Sequence, residues 1–209
     1  MLTIPRLLAA SALVLVLACA VAVVTPAHAQ SSAAAQRSAP GPACGGTLWK
    51  LMTLSDPGRT AVKWPGADTT VADIAKLTSP AKTPATRSTA FQKQNWKLTA
   101  VIDRFRVASN GEIVLVLFDV PSSTYMDAYI PASTCLSKTT RGRAQILAAR
   151  TALTSACVQP TVAWQQLGAT VQLTGTGFWN PVRTTKGALP NGAEIRPVTG
   201  LTVLQGCGK

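Results

Sequence analysis

Eight acidic residues and a single histidine bound the chemistry open to this 209-residue chain. The histidine, His28, sits between Ala27 and Ala29, after Arg6 and an apolar run from Leu13 to Val24. That is the pattern of a secretory signal peptide cut after residue 29. A chain starting at Gln30 has no imidazole. It lacks the usual general base near neutral pH, the usual activator of a nucleophile and the commonest metal ligand. The remaining candidates for acid–base work are Asp103, Glu112, Asp119, Asp127 and Glu194, on expected strands or their ends. Two carboxylates flanking a sugar can cleave a glycosidic bond. Acids with an arginine around a metal can cleave nucleic acid, and Glu112, Asp119 and Arg196 are the set that would imitate that. Ser79 and Lys82 match S-x-x-K, but in a Pro-rich stretch with no partner motif. No G-x-S-x-G elbow occurs, and Gly175, Gly177, Gly187 and Gly192 lack the Lys-Ser/Thr and helix of a phosphate loop. Nothing in the sequence calls for a cofactor or a metal.

Binding has more material. The chain carries 20 Lys+Arg against 8 Asp+Glu, and loss of Arg6 with the leader leaves about +11. An exported cation of that size associates with anionic partners such as envelope polymers, lipid headgroups or nucleic acid. Arg183, Lys186 and Arg196 lie in or beside one expected loop, and Arg104 and Arg106 end an expected strand. Trp179, Tyr125 and Tyr129 are aromatic rings that could stack on bases or sugars, Trp179 having rim packing as its other reading. Trp96, Phe118 and Phe178 read as core, and Lys138, Arg141 and Arg143 as a solvated face ahead of a helix.

Cys19 falls in the leader, in a poor match to a lipoprotein box, so release of the processed chain is expected. Four cysteines remain, and an even number in an exported chain implies two disulfides. Three pairings are open. The preferred one joins Cys44 to Cys207, stapling the ends of the domain, and Cys135 to Cys157, clamping the ends of a helix. A zinc site would need close C-x-x-C pairs, and there are none.

These groups must be positioned by the following elements. Residues 30–43 are Ser, Ala, Gln, Pro and Gly without periodicity, a flexible lead-in. Residues 44–54 could form a short strand or packed arm. Thr70 and Asp73 have capping-box spacing, which predicts a helix over 71–77, followed by a linker at 78–90. Alternation from Trp96 to Asp103 predicts a half-buried strand. Ser109-Asn110-Gly111 is a hairpin turn leading to a nearly continuous apolar strand, 112–120. A third strand covers 125–130. Apolar steps of three and four over 141–156 predict a helix, and 170–178 and 194–204 alternate again. After the arm with its short helix, the order is β-β-β-α-β-β. That is mainly β with one helix, and it matches a five-stranded Greek-key barrel of the oligonucleotide/oligosaccharide-binding (OB) type spanning residues 44–209. No apolar stretch after the leader approaches the roughly 20 residues of a membrane span.

The tail Gly175-Thr176-Gly177-Phe178-Trp179-Asn180, then Gly187-Ala188-Leu189-Pro190-Asn191-Gly192-Ala193-Glu194-Ile195-Arg196-Pro197-Val198, resembles a family of small exported bacterial proteins. Its tail reads G-V-G-F-F-D, then G-V-A-P-N-G-I-E-L-H-P-V. The resemblance includes Met126 to Pro131 with Cys135 (M-I-A-E-I-P and a cysteine) and Asn110 to Leu117 (D-G-D-x-H-L-V-L). It implies a secreted barrel-like domain and brings no reaction with it. Where the family has histidine, glutamate, aspartate and histidine, this chain has Val114, Tyr129, Asn180 and Arg196, and only Glu194 of that polar set remains. The expectation is a secreted or periplasmic, non-catalytic binding or structural module of the cell envelope. Tyr129, Trp179, Arg183, Lys186, Glu194 and Arg196 would meet an anionic polymer, nucleic acid or polysaccharide. The alternative is a carboxylate-dependent secreted hydrolase such as a nuclease.

Overall fold

A computed structural model describes residues 44–46 and 48–207. The expected signal peptide (1–29) and lead-in (30–43) lie outside the described residues. The protein is mainly β. Six strands form one sheet: β1 (Lys63–Asp68), β2 (Gln94–Val107), β3 (Ile113–Asp119), β4 (Thr124–Ile130), β5 (Gln165–Trp179) and β6 (Ala193–Gln205). Their order is β1-β2-β3-β4-β6-β5, and β5 also pairs with β2. The hydrogen-bonded circuit therefore runs β2–β3–β4–β6–β5 and back to β2. β1 and β2 are parallel, as are β4 and β6, and the other pairs are antiparallel.

The sixth strand departs from the expected five. Trp64-Pro65-Gly66 reads as a break, yet Pro is tolerated on an edge strand, where its missing N–H faces away from the ladder. Among the described residues β1 is such an edge, pairing only with β2. β2 and β5 are longer than alternation alone indicates, because a register shift between Ile102 and Arg104 breaks the period while the pairing continues as far as Phe105 opposite Gln165.

α1 (Trp49–Met52) replaces the strand or arm expected near the first cysteine. α2 (Val71–Ala75) starts as expected, with Thr70 Oγ1 accepting from the Asp73 amide at 3.0 Å. α3 (Arg143–Ala156) buries Ile146, Ala149 and Leu153 and packs along β6. Inside the circuit, Leu98, Ile102, Phe105, Ile113, Leu115, Leu117, Met126, Ala128, Ile130, Leu173 and Ile195 form the core with these helices. Each of these side chains larger than alanine contributes roughly 1.5–3 kcal/mol by leaving water.

Two turns require left-handed backbone, and glycine supplies it. Gly111 (φ +80°) follows Asn110 between β2 and β3, and Gly192 (φ +73°) leads into β6. Asn191 beside it donates to the carbonyls of Ile74, Ala75 and Leu77 at 2.9–3.2 Å, tying the turn to the end of α2.

Two arginines hold the segments before β2. Arg87 is buried, pairs with Asp56 at 2.9 Å and donates to the Leu51 and Gln92 carbonyls. Arg141 donates to the carbonyls of Arg59, Thr60 and Val62. It is half-buried, in contrast to the solvated face expected for it.

The disulfides are Cys44–Cys135 and Cys157–Cys207, which corrects the expected Cys44–Cys207 and Cys135–Cys157. The cause is the path of α3. It lies along β6, so its C-terminal Cys157 meets the cysteine that follows β6. Cys135, in the turn after β4, is left for the arm. Among the described residues no helix is long and apolar enough to cross a membrane.

Candidate functional site

Side chains alternate across each strand, so the partners of the core residues face outward. Register then defines three cross-strand rows on the exterior. One is Thr170–Val101–Phe118–Tyr125, the next is Gln166–Arg104–Val116–Asp127, and the third is Arg106–Val114–Tyr129. Glu194 and Arg196 continue this face onto β6. Val114, Tyr129, Asn180 and Arg196 gather here. Val114 is opposite Tyr129, the Arg196 guanidinium lies 4.3 Å from the Tyr129 ring centroid, and Asn180 donates to Glu194 Oε2 at 3.1 Å.

The loop between β5 and β6 lies over this face. A Cβ on Gly187 would stand 1.9 Å from Asp127 Oδ1 and 3.2 Å from Val116, so only glycine allows the approach. Arg183 in the loop donates from Nη2 to Asp127 Oδ2 and Glu194 Oε2, both at 3.0 Å, and from Nη1 to the Tyr129 hydroxyl at 3.2 Å. Arg196 donates from Nε to Glu112 Oε1 at 3.2 Å, from Nη2 to Glu112 Oε2, and from Nη1 to Glu194 Oε1 at 3.5 Å. Asn110 Nδ2 closes the far end on Glu112 at 2.7 Å. Glu112, Asp127, Glu194 and Arg196 are all buried. The space under the loop between Asp127, Arg183 and Glu194 does not admit a water molecule.

Three carboxylates share two guanidiniums, and the electrostatics follow. Burial pushes Glu194 up to about 7, against the pull of Arg196 and Arg183. Burial likewise raises Asp127 to about 6, with Arg183 and then Arg104 opposing. The Tyr129 phenol is driven above its ordinary range by burial and by the charges of Glu194 and Asp127. Desolvation thus exceeds ion pairing here, as is common for buried pairs. The folded state holds these protons where an unfolded chain has released them, between about 4.5 and 7 for Glu194 and between about 3.8 and 6 for Asp127. Their contribution to stability is complete below the unfolded values and is lost as pH rises through the folded ones. Unfolding free energy from urea titrations is therefore expected to fall as pH rises from about 4 to about 7, by on the order of a few kcal/mol. Glu194→Gln should flatten that profile, and parallel profiles for the two proteins would refute the assignment.

Of the six residues expected to meet a polymer, Tyr129, Arg183, Glu194 and Arg196 converge, but on each other beneath a loop. Lys186 stays at the surface, 2.8 Å from Asp103 and 4.6 Å from the Tyr125 ring centroid. Trp179 is buried, with Nε1 donating to Thr89 at 3.0 Å and its ring 4.9 Å from that of Phe91. It packs internally and is not a platform for a ligand. Phe118, expected in the core, lies outside it, half-buried against Tyr125 with ring centroids 4.7 Å apart. Glu112 and Asp119 bracket β3, roughly 20 Å apart at about 3.3 Å per residue, so they do not form a trio with Arg196. Among the described residues no three His, Cys, Asp or Glu side chains group as a metal site.

The exterior also carries two connected hollows. One, of about 450 Å³, includes Lys97, Thr99, Val101, Phe118, Asp119 and Gln172, and the other, of about 330 Å³, includes Val101, Asp103, Phe118 and Gln166. They share Val101 and Phe118, and so read as one groove. Beside it, Arg104 and Arg106 stack on Trp164 with guanidinium carbons 4.5 and 4.9 Å from its ring centroid. Trp164 is invisible to sequence periodicity because it precedes β5 in an irregular stretch. Only the pairing of β5 with the end of β2 brings it to the arginines.

No family model matches this chain, and no curated protein matches it. Among solved structures it is similar to one described as an aspartyl-tRNA synthetase from Leishmania major Friedlin, with a TM-score of 0.40 and 12% identity. That likeness covers 69% of this chain and 22% of the other, so this chain spans under a quarter of that protein.

Proposed function

We propose that this protein is an exported, disulfide-stapled, OB-like barrel that works by binding rather than catalysis. Its partner is an anionic polymer of the cell envelope or its surroundings. The leader-like first 29 residues and the two disulfides support export. The circuit β2–β3–β4–β6–β5, with its single parallel pair, supports the barrel. The observation that carries the non-catalytic reading is the pair Arg183 and Arg196. Together they occupy Glu112, Asp127 and Glu194, three of the five acids that could serve a hydrolase. In an OB fold the face of the second and third barrel strands is the usual ligand surface. Here that face lies under the chain's own loop, which leaves the neighbouring groove on β2, β3 and β5 for a partner.

The test uses purified processed protein on heparin and on single-stranded DNA across a salt series, with cleavage of nucleic acid followed in the presence of divalent metals. Retention that falls steeply with salt, without cleavage, supports the proposal. Cleavage abolished by Glu112→Gln or Glu194→Gln would overturn it in favour of the hydrolase.

A further inference from the structure

We infer that Arg104, Arg106 and Trp164 form an oxyanion clamp at one end of the exterior groove, and that the groove takes a polysaccharide bearing acidic groups. This rests on the binding reading above and names its site and ligand class. Arg104 and Arg106 are two residues apart on β2 and so project on the same face. Among the described residues neither makes a salt bridge or a side-chain hydrogen bond, unlike Arg87, Arg183 and Arg196. Their Nε atoms are buried without a partner. The charge of Arg104 reaches Asp127, but the carboxylate of Asp127 is already held by Arg183. Trp164, 41% exposed, covers the guanidinium faces. Stacking fixes the plane of a guanidinium and leaves its in-plane N–H edge for a carboxylate, sulfate or phosphate. A fork held this way is preorganised for two parallel hydrogen bonds to an oxyanion.

The groove favours sugar over nucleic acid. Gln166, opposite Arg104 in register, lines its nearer hollow, so clamp and groove are continuous. Its lining alternates hydroxyl, amide and carboxylate groups around the half-buried Phe118 ring. Thr99, Thr170 and Gln172 suit sugar hydroxyls, and an aromatic face suits a pyranose. Asp68, Asp103 and Asp119 also line it. Asp68 and Asp103 are paired with Lys97 and Lys186 and Asp119 accepts from Ser122, so a phosphate on every unit would have to compete with those contacts, whereas a glycan with an acidic group at the clamp and hydroxyls elsewhere would leave them intact.

The experiment measures binding of the processed protein to a hyaluronan oligosaccharide (carboxylate on alternate units), a κ-carrageenan oligosaccharide (sulfate on alternate units, no carboxylate), neutral dextran and oligo-dT by calorimetry at low salt. Tight binding to either acidic glycan supports the inference, and the two arms separate carboxylate from sulfate recognition. Trp164→Ala and the double variant Arg104→Gln/Arg106→Gln should each weaken it about tenfold or more. Lys138→Gln, which removes an exposed charge elsewhere, should leave it unchanged, and urea midpoints verify that each variant is folded. Glycan binding that survives both clamp variants overturns the site while the binding reading stands. Equal binding of dextran overturns the oxyanion role. Preference for oligo-dT overturns the glycan assignment. Binding to none of the four overturns the binding reading and this inference together.

Discussion

Replacing Arg196 with methionine is expected to destabilise the protein by about 3–5 kcal/mol at pH 7.5, the cost of leaving a buried charge unpaired, and by distinctly less at pH 5. Arg196 is the bridge between Glu112, ahead of β3, and Glu194 on β6. Methionine keeps an unbranched apolar side chain of similar reach, so the loss beyond charge is chiefly the guanidinium's contact with the Tyr129 ring. The electrostatic loss is larger. Glu112 would retain Asn110 as its hydrogen-bond partner, and Glu194 would depend on Arg183 and Asn180. Glu194 is already raised to about 7 with both arginines present. Without Arg196 it should stay protonated to higher pH, which is why acid relieves the defect. Adding Glu112→Gln to Arg196→Met removes the opposing charge and should recover part of the loss, a coupling a double-mutant cycle measures. Urea midpoints at the two pH values decide the matter. An equal loss at both, together with no coupling to Glu112→Gln, would assign the role of Arg196 to packing alone.

The network also explains how much of the site was legible. Glu194 and Arg196 are two apart on an alternating strand, and Tyr129 lies on another, so a shared face could be read from spacing. Arg183 could not be placed, because a loop residue has no period to fix its direction. Its inward turn depends on Gly187 passing close to Asp127, a tertiary event. The strands of the circuit were legible where apolar alternation is strong, as in β3. β1 was not, since Pro65 and Gly66 mask an edge strand whose N–H groups need no ladder. Phe118 was misplaced because β3 is apolar on both faces. An uninterrupted run such as Ile113 to Phe118 does not say which residues point inward. Register with Tyr125 decides it. Trp179 erred the other way, since a tryptophan at a strand end reads as rim but here meets Phe91 and Thr89.

The disulfides carry the other large expectation. Cys44–Cys135 closes a span of 91 residues and Cys157–Cys207 one of 50, with Cα atoms 5.3 and 4.8 Å apart. Loop-closure entropy assigns each about 4–5 kcal/mol, against a total stability of roughly 5–15 kcal/mol for a typical domain. The matched double variants Cys44→Ser/Cys135→Ser and Cys157→Ser/Cys207→Ser should each lower the unfolding free energy by about that amount. Reducing both bridges should leave the chain at the edge of folding. The mismatched variant Cys44→Ser/Cys207→Ser breaks both bridges at once. It should yield two thiols to a thiol reagent in denaturant and lose more stability than either matched variant. Under the alternative pairing of Cys44 with Cys207, that same variant would retain its second bridge, show no thiol and be only singly weakened. The connectivity of the cysteines is thus decided by counting thiols, and α3 lying along β6 is the packing fact that the count tests.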